Sequence, residues 1–355
     1  MSRLESGWST HRLTDQERDS LRDFAATAGS DPYDDLGAFT IEAAGAWEAL
    51  TDETRRQVGS LADGSSERPE LYITNLPEVA DLPPTPSVTH SWARLTQRSA
   101  SEAIMLTFVT GLGHPISYLD QRDGSVFHDI YPTRSNAAEI SSQSSSVDLG
   151  HHTEMFFHPE PPDFLMLHCL RSAPDRHAYT SVSGLSDIEA MLSDEDRGLL
   201  REPLFAVDVA RLHGRYTNDG HPYTEADPRP CIPVIASTTS GRRLRFEPAL
   251  MTPTTAAAAR AIQCAEHAVD KVAVRDVLRE RGMLVVDNRR AAHSRSSFKA
   301  QFDGSDRWLR RMMIGSPATT RNGAIQRHDL ELVRAWRTAG AIVGKVPYGN
   351  SESEE

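Results

Sequence analysis

A histidine and a carboxylate two positions apart, His152 and Glu154, suggest metal chemistry. If this segment is extended, both side chains point to the same side, because side chains alternate along a strand. An imidazole nitrogen and a carboxylate oxygen would then be close enough to bind one metal ion. By itself the pair is weak evidence, since two polar residues at an exposed strand end would look the same. The metal interpretation therefore depends on a third ligand.

His293 is the best candidate for that third ligand among the 14 histidines. It follows an apolar segment, residues 283–287, with the composition of a buried strand. Two histidines and one carboxylate on one side of an iron ion leave room for a chelating cosubstrate and for dioxygen. The same ligands also suit zinc, so a zinc-dependent hydrolase is an open alternative. For His293 taken alone, a surface or hydrogen-bonded core histidine is the ordinary alternative.

An arginine lies downstream of His293 in an apolar setting. Arg307 precedes Trp308 and Leu309 and opens a strand pattern, which favours a partly buried guanidinium over a solvated surface charge. A guanidinium can bind a carboxylate through two parallel hydrogen bonds, which lysine cannot match. The pattern therefore indicates an anion site near the metal.

These residues need a scaffold of strands, and the later part of the chain has the patterns for one. The first hundred or so residues carry helical patterns, whereas short apolar strands with inserted helices follow. Near-continuous apolar runs at residues 164–170 and 282–287 predict buried strands. Together the patterns predict an α+β fold with a double-stranded β-helix, the jelly-roll core of cupin-like proteins, and flanking helices.

Residues 1–350 are predicted to form one domain with three parts. These are a helix-rich N-terminal flank at about 1–115, the jelly-roll core at about 116–320 and a C-terminal segment at 321–350. Residues 351–355 are expected to be a disordered tail. Within the core, residues 210–230 are rich in loop-forming residues and are expected to form a lid over the site.

Local patterns predict individual elements. Thr14 and Glu17 have the spacing of a capping box that starts a helix, and Ser186 with Glu189 repeats that spacing. Residues 274–281 are also predicted to be helical. Further helices are predicted at 35–49, 51–61, 101–112, 194–200 and 255–271, and further strands at 70–74, 178–182, 204–209 and 308–314.

Composition narrows the choice of partners. The formal net charge is −12, which argues against nucleic acid or an anionic membrane as the main partner. The three widely spaced cysteines indicate reduced thiols in a cytoplasmic protein, not a disulfide framework. The N-terminal residues lack the apolar core of a signal peptide, and no apolar run reaches transmembrane length. A small-molecule partner is expected, and a homodimer is left open.

Five short motifs along the chain, taken in sequence order, can be compared with a known family. They are His152-Thr153-Glu154, Phe157-His158-Pro159-Glu160-Pro161-Pro162-Asp163-Phe164, Cys169-Leu170-Arg171, Asp287-Asn288-Arg289-Arg290 through His293, and Asp303-Gly304-Ser305-Asp306-Arg307-Trp308-Leu309-x-Arg311. Together they resemble the clavaminate synthase-like iron(II)/2-oxoglutarate oxygenases. Within that group the chain looks most similar to the hydroxylases of free arginine, asparagine or lysine. The resemblance covers roughly residues 70–320.

The resemblance implies a metal centre and a cosubstrate site. His152, Glu154 and His293 match the iron(II) ligands of the family. Arg307 matches the arginine that pairs with the far carboxylate of 2-oxoglutarate, and Thr180 matches a threonine whose hydroxyl assists there. For Thr180 alone, an ordinary β-strand threonine is the alternative.

The resemblance also implies contacts with an amino-acid substrate. Arg311 matches the arginine that holds the α-carboxylate. Gln121 matches a side chain that meets the α-amino group, and Glu154 is expected to share that amine. Glu247 falls where relatives carry an acid that contacts the polar end or the amine of the substrate. The segment 140–146 is expected to line the pocket.

One departure from the family pattern bears on the choice of substrate. The arginine hydroxylases carry a second acid two residues after the first, and this chain has Ala249 there. An arginine substrate would lose one partner, and an unpaired buried donor costs about 1–3 kcal/mol. The sequence therefore favours lysine or citrulline over arginine itself.

The predicted reaction is hydroxylation of C3 or C4 of the amino acid by O2, with succinate and CO2 as co-products. Two alternatives stay open beside the zinc hydrolase. One is the same oxygenase chemistry on an amino acid tethered to a carrier protein, and the other is a jelly-roll module that binds an amino acid without catalysis. Glu154 argues against halogenation, because a halide needs the coordination position that the carboxylate would occupy.

Overall fold

The computed structural model describes nine stretches of the chain. They are residues 7–80, 82–88, 100–118, 125–139, 141–158, 161–174, 177–207, 230–238 and 241–316. Several sequence predictions lie outside these stretches: Gln121, Ile140, almost all of the expected lid at 210–230, the segment 321–350 and the tail 351–355.

Seven α-helices lie within the described residues, four of them before residue 113. The capping box at the first helix is confirmed: the Thr14 hydroxyl accepts the Glu17 N–H at 3.1 Å, and the Glu17 carboxylate accepts the Thr14 N–H at 2.8 Å. None of the described helices is long and apolar enough to cross a bilayer. The helices are α1 (Asp15–Thr27), α2 (Leu36–Glu48), α3 (Asp52–Asp63), α4 (Ala100–Leu112), α5 (Leu185–Met191), α6 (Asp194–Leu200) and α7 (Ala256–Val272).

Sixteen strands accompany these helices in the described part of the chain. They are β1 (Thr10–Arg12), β2 (Glu70–Thr74), β3 (His114–Ile116), β4 (His128–Ile130), β5 (Leu149–His152), β6 (Phe164–Arg171), β7 (Tyr179–Gly184), β8 (Phe205–Val207), β9 (Cys231–Ile232), β10 (Ile235–Thr238), β11 (Gly241–Leu244), β12 (Met251–Pro253), β13 (Val274–Val277), β14 (Gly282–Asp287), β15 (Ala291–Arg295) and β16 (Trp308–Gly315).

Two main sheets carry most of these strands. The larger has seven strands in the order β1-β2-β14-β6-β16-β3, with β4 also paired to β16. The smaller has the order β13-β7-β15-β5. All pairs are antiparallel except β1 with β2. Two minor sheets, β12-β8-β9 and β10-β11, complete the set.

Alternation along the strands separates two apolar layers on the two sides of the seven-stranded sheet. On one side Met166 of β6 packs in a core with Phe108 of α4 and the other N-terminal helices. On the other side Leu167 packs with Val182 of β7 and Ala291 of β15, so the two main sheets share this core. A third core lies between the outer face of the smaller sheet and α5–α7. The space between the two main sheets is therefore where inward-pointing polar residues would meet.

A buried ionic cluster joins α4 to β16 on the helical side of the larger sheet. The Arg310 guanidinium is 1% exposed and donates to Glu102 at 2.6 Å and to Asp129 at 3.0 Å. Tyr33 also donates to Glu102, at 2.6 Å. The nearby carboxylates hold the pKa of Arg310 well above its ordinary value despite burial. The buried Arg310 guanidinium thus has partners of opposite charge, and such pairing makes its deep burial tolerable.

Two local predictions are wrong. Residues 274–281 were expected to be helical, but Val274–Val277 form the edge strand β13, paired with β7. Tertiary pairing with β7 and the β-branched valines at both ends outweigh the helical spacing. The second capping box is absent: α5 begins after Gly184 without a side-chain cap. The Glu189 carboxylate is instead engaged by arginine side chains.

Candidate active site

The two candidate histidine ligands face each other across neighbouring strands. His152 ends β5 and is the register partner of His293 on β15, with ring centroids 4.3 Å apart. The pairing then shifts, since Arg295 pairs with Leu149, so β5 carries one extra residue at this point. Bulges of this kind redirect side chains next to active sites.

The bulge also orients the His152 ring. The carbonyl of Gly150, inside the bulge, accepts a hydrogen bond from His152 Nδ1 at 2.9 Å. With its proton fixed on Nδ1, a neutral imidazole directs the Nε2 lone pair away from the bulge and toward a metal. The backbone irregularity therefore selects the tautomer that a metal ligand needs.

His293 is buried and electrically neutral. Burial lowers its pKa well below the ordinary value, and the neighbouring His152 and Arg311 add to the effect. Its Nδ1 atom has no hydrogen-bond partner among the described residues. A buried, uncharged imidazole is the form in which histidine binds metals.

Glu154 reaches the site from a turn, not from a strand. The expectation of an extended segment fails here, because β5 ends at His152 and Met155 has a φ of 51°. The side-chain amide of Asn288 holds the Glu154 main chain instead, accepting its N–H at 2.8 Å and donating to its carbonyl at 3.0 Å. The Glu154 carboxylate is thereby brought inward.

The three candidate ligands do converge. Ligand atoms of His152, Glu154 and His293 all lie within 4.8 Å of one another. Two imidazoles, one of them constrained by a main-chain carbonyl, and one carboxylate match the donor set of a non-haem iron(II) centre with open positions. The residues present therefore fit the metal that the sequence analysis expected.

Arg307 lies just before β16, deeply buried at 5% exposure. Burial lowers its pKa to about 10, and the charge of Arg295 contributes to the lowering. Its Nη1 atom has no hydrogen-bond partner among the described residues, and its guanidinium lies 5.5 Å from the ring centre of Phe298. A buried guanidinium with a nitrogen that has no partner in the described part of the chain can bind an anion.

A second arginine, which the sequence analysis did not identify, lies close to this site. Arg295 on β15 is the register partner of Thr180 on β7, and its guanidinium lies 5.3 Å from the same Phe298 ring. It donates to the Ser144 hydroxyl at 2.5 Å. Burial lowers the pKa of Arg295 to about 10 as well. Thr180 is buried and lies on the same face of β7 as Val182, which packs in the core between the sheets.

Arg311 links the larger sheet to the ligand set. It donates to Glu154 Oε1 at 2.9 Å and to His128 Nδ1 at 2.7 Å. Because an arginine can only donate, His128 accepts at Nδ1, and its Nε2–H donates to the Ser125 carbonyl at 2.7 Å. His128 thus fixes one side of the Arg311 fork, a role that sequence inspection missed.

The remaining predicted substrate contacts are placed unevenly. Glu247 is half-buried, and burial raises the pKa of its carboxyl, with His152 opposing and Glu154 adding to the change. The preceding residue, Phe246, exchanges hydrogen bonds with Thr153, so Glu247 lies beside the segment that carries His152 and Glu154. Ala249 is exposed on the short 3-10 helix Pro248–Leu250.

Comparison with known proteins decides the family. The model of the taurine catabolism dioxygenase TauD, TfdA family matches residues 93–313. The chain belongs to the TauD/TfdA dioxygenase family. The predicted resemblance to the iron(II)/2-oxoglutarate oxygenases is confirmed, and so is the prediction that the protein is an enzyme.

Characterised relatives of this dioxygenase act on amino acids, as their names state. It is 32% identical to the L-lysine 3-hydroxylase of Catenulispora acidiphila over 78% of this chain and 75% of that protein. It is 30% identical to the L-asparagine oxygenase of Streptomyces coelicolor over 86% of each chain.

Solved structures agree in fold. A complex of asparagine oxygenase with Fe(II), hydroxyasparagine and succinate superposes with a TM-score of 0.75 at 26% identity, covering 87% of this chain and 94% of the other. The non-haem iron oxygenase OrfP, in complex with Fe, succinate and (3S)-hydroxy-L-Arg, gives 0.75 at 25% identity, covering 91% and 98%. The dioxygenase thus shares the mixed helix and sheet architecture of these oxygenases.

Proposed function

We propose that this chain is an iron(II)- and 2-oxoglutarate-dependent hydroxylase of a free L-amino acid with a long polar or cationic side chain. The convergence of His152, Glu154 and His293, with Arg311 hydrogen-bonded to Glu154, carries the proposal. The family assignment, with relatives that contain iron and α-ketoglutaric acid, confirms the predicted cofactors. It also favours the oxygenase over the zinc hydrolase.

His152, Glu154 and His293 would hold the iron. When bound, iron and 2-oxoglutarate supply the oxidising chemistry, which consumes O2, releases succinate and CO2 and leaves a hydroxyl group on the amino acid. The chain's own contribution is position and electrostatics. The Gly150 carbonyl orients the His152 ring, and burial keeps His293 neutral so that both imidazoles remain ligands.

Arg307 would bind the distal carboxylate of 2-oxoglutarate, assisted by the Thr180 hydroxyl. A carboxylate there would give the buried Arg307 Nη1 atom, which has no partner among the described residues, a charge-assisted hydrogen bond. O2 and the amino acid would share the remaining space near the ligand set.

Arg311 would hold the α-carboxylate of the substrate, with His128 keeping its guanidinium in place. Glu154, hydrogen-bonded to Arg311, would share the α-amine, and Gln121, outside the described residues, is proposed for the same group. Glu247 would meet a cationic or polar side-chain end, and a cation there would favour its ionised form.

The substrate proposal covers lysine, citrulline and arginine, with lysine first. Glu247 offers one carboxylate, which suits one ammonium group. Because Ala249 is exposed, the absence of an acid there gives no structural argument against arginine. The names of the relatives, L-lysine 3-hydroxylase and L-ornithine/L-arginine 3-hydroxylase, favour C3 over C4 as the carbon hydroxylated.

We further propose that the two facing sheets form the double-stranded β-helix core of a single oxygenase domain at 1–350. The shared core between the sheets supports this arrangement. A cytoplasmic location and a homodimer belong to the same proposal, and light scattering of the purified protein would test the dimer.

A substrate screen tests the function. The purified protein is incubated with iron(II), 2-oxoglutarate and each common amino acid, plus ornithine and citrulline, and mass spectrometry detects the gain of one oxygen. We expect lysine or a related amino acid to gain oxygen in step with succinate formation. No gain with any free amino acid would contradict the proposal, and a gain only with carrier-tethered amino acids would establish the tethered alternative.

A further inference from the structure

The main chain of Glu154 lacks the partner that a strand would give it, and Asn288 fills that place. β5 ends at His152, so within the described part of the chain Glu154 lies beyond the ladder that pairs β5 with β15. The Asn288 carboxamide accepts the Glu154 N–H at 2.8 Å and donates to the Glu154 carbonyl at 3.0 Å. This two-way pair is the pattern that one residue of an antiparallel strand offers another.

The carboxamide of Asn288 has little freedom to move. Its Nδ2 also donates to the Pro162 carbonyl at 2.9 Å, so both amide hydrogens and the oxygen are engaged. The Asn288 N–H donates to the Asp163 carbonyl at 2.9 Å, and the residue is 1% exposed.

The turn that carries Asn288 is itself braced. Asp287, fully buried at the end of β14, accepts the Arg289 N–H at 3.0 Å. Its carboxylate also accepts from Arg289 Nε and Nη2 and from Arg290 Nε, each at 2.8 Å. This turn leads directly into β15, which carries His293. One short connection therefore positions the third ligand and holds the main chain of the second.

The two hydrogen bonds between Asn288 and Glu154 lie next to a residue with an unfavourable backbone conformation. Met155, directly after Glu154, has a φ of 51°, which L-residues rarely adopt unless neighbours enforce it. The hydrogen bond from Asn288 to the Glu154 carbonyl fixes the plane of the peptide that joins Glu154 to Met155. That plane sets the direction in which the Glu154 side chain leaves the main chain.

We propose that Asn288 is a positioning residue for the iron site: its carboxamide substitutes for a missing strand partner and fixes the direction of the Glu154 carboxylate. The inference rests on the proposed function, because Glu154 is an iron ligand only within it. Arg311 donates to the same carboxylate, so displacing Glu154 would also displace the group that is proposed to hold the substrate.

Two substitutions test this role. Asn288→Ala removes all three side-chain hydrogen bonds. Asn288→Asp keeps the size and the acceptor for the Glu154 N–H but points an oxygen at two carbonyls. Asn75→Asp is the matched control, because the Asn75 amide also donates to a main-chain carbonyl, that of Leu13, in the N-terminal flank.

Three quantities are measured for each protein: the melting temperature, the Kd for iron(II) in anaerobic titration with 2-oxoglutarate present, and succinate formed per amino acid hydroxylated. Both Asn288 variants should raise the iron Kd by roughly ten- to hundredfold, as loss of residues that support metal ligands does. They should also form succinate in several-fold excess over hydroxylated product. Asn75→Asp should lower the melting temperature without changing the other two quantities.

Asn288 variants that keep the iron Kd and the succinate ratio of the unmodified protein would overturn the inference alone. Failure of the unmodified protein to bind iron(II) would overturn the proposed function together with it. If neither variant folds, a crystal structure of the unmodified protein with Mn(II) decides: Glu154 on the metal with its N–H and carbonyl bound to Asn288 supports the inference, and a pair broken in that state refutes it.

Discussion

Replacing Arg307 by methionine should stabilise the ligand-free protein. Arg307 is buried, and burial lowers its pKa from 12.5 to about 10. At neutral pH the side chain is protonated in both the folded and the unfolded chain, so this lowering corresponds to a cost of about 3 kcal/mol to the folded state. The contact with Phe298 returns about 0.5–2 kcal/mol. A neutral side chain of similar length should therefore raise the free energy of unfolding by about 1–3 kcal/mol.

The same substitution should remove cosubstrate binding. Truncating one partner of a buried, hydrogen-bonded charge pair costs about 2–5 kcal/mol. That loss corresponds to a roughly 30- to 5,000-fold increase in the Kd for 2-oxoglutarate. Stability and cosubstrate affinity should thus change in opposite directions at this one position.

Urea denaturation and thermal melting, each with and without 2-oxoglutarate, measure both effects. Arg310→Met is the control, because Arg310 lies close by on β16 and is also buried but pairs with Glu102 and Asp129. Breaking that cluster should cost about 3–5 kcal/mol. An Arg307→Met protein as unstable as Arg310→Met, or one that 2-oxoglutarate still stabilises as it does the unmodified protein, would refute the reasoning.

Three further predictions each concern a single side chain. Arg311→Ala should raise the KM for the amino acid by roughly ten- to hundredfold, from about 1.5–3 kcal/mol of lost charge-assisted hydrogen bonding, with a nearly unchanged KM for 2-oxoglutarate in steady-state assays. Glu247→Gln should lower kcat/KM roughly tenfold more for lysine than for citrulline in a competition assay, and equal losses would contradict its proposed contact. Burial, with Arg310 adding, lowers the pKa of His168 to about 3, below the value near 6.5 expected in the unfolded chain. The folded state therefore binds fewer protons, and stability should fall by up to about 1.4 kcal/mol per pH unit below about pH 6.5; His168→Gln should reduce that slope in urea titrations, while an unchanged slope would exclude His168 as its source.

The strongest sequence signals were those that depend on burial along one strand. The apolar runs at 164–170 and 282–287 are confirmed as β6 and β14, the two central strands next to each other in the larger sheet. A strand buried on both faces has no polar alternation to obscure it, so such runs are legible from sequence. The edge strand β13 was misassigned because a short strand owes its conformation to its neighbour.

Site residues could be predicted from the sequence where the chemistry allows only a few residue types. Histidine, glutamate and arginine in order along the chain indicated a metal and an anion site, and the fold brings His152, Glu154 and His293 together. Arg295 could have been found, since it lies two positions after His293 on one strand and so points to the same side. His128 carried no such signal, because its role depends on the pairing of β4 with β16.

Successive arginines on β16 have opposite tasks, and this has a consequence for engineering. Arg311 faces Glu154 between the sheets, while its neighbour Arg310 is held by Glu102 of α4 on the far side. If β16 shifted its register by one residue, Arg310 and Arg311 would exchange faces of the sheet. Glu154 and Glu102 would then both lose their arginine partners. Glu102 of α4 therefore helps to hold β16 in the register that directs Arg311 at Glu154. A shortened protein that lacked α4 should therefore misplace Arg311 relative to Glu154 although it would still contain all three proposed metal ligands.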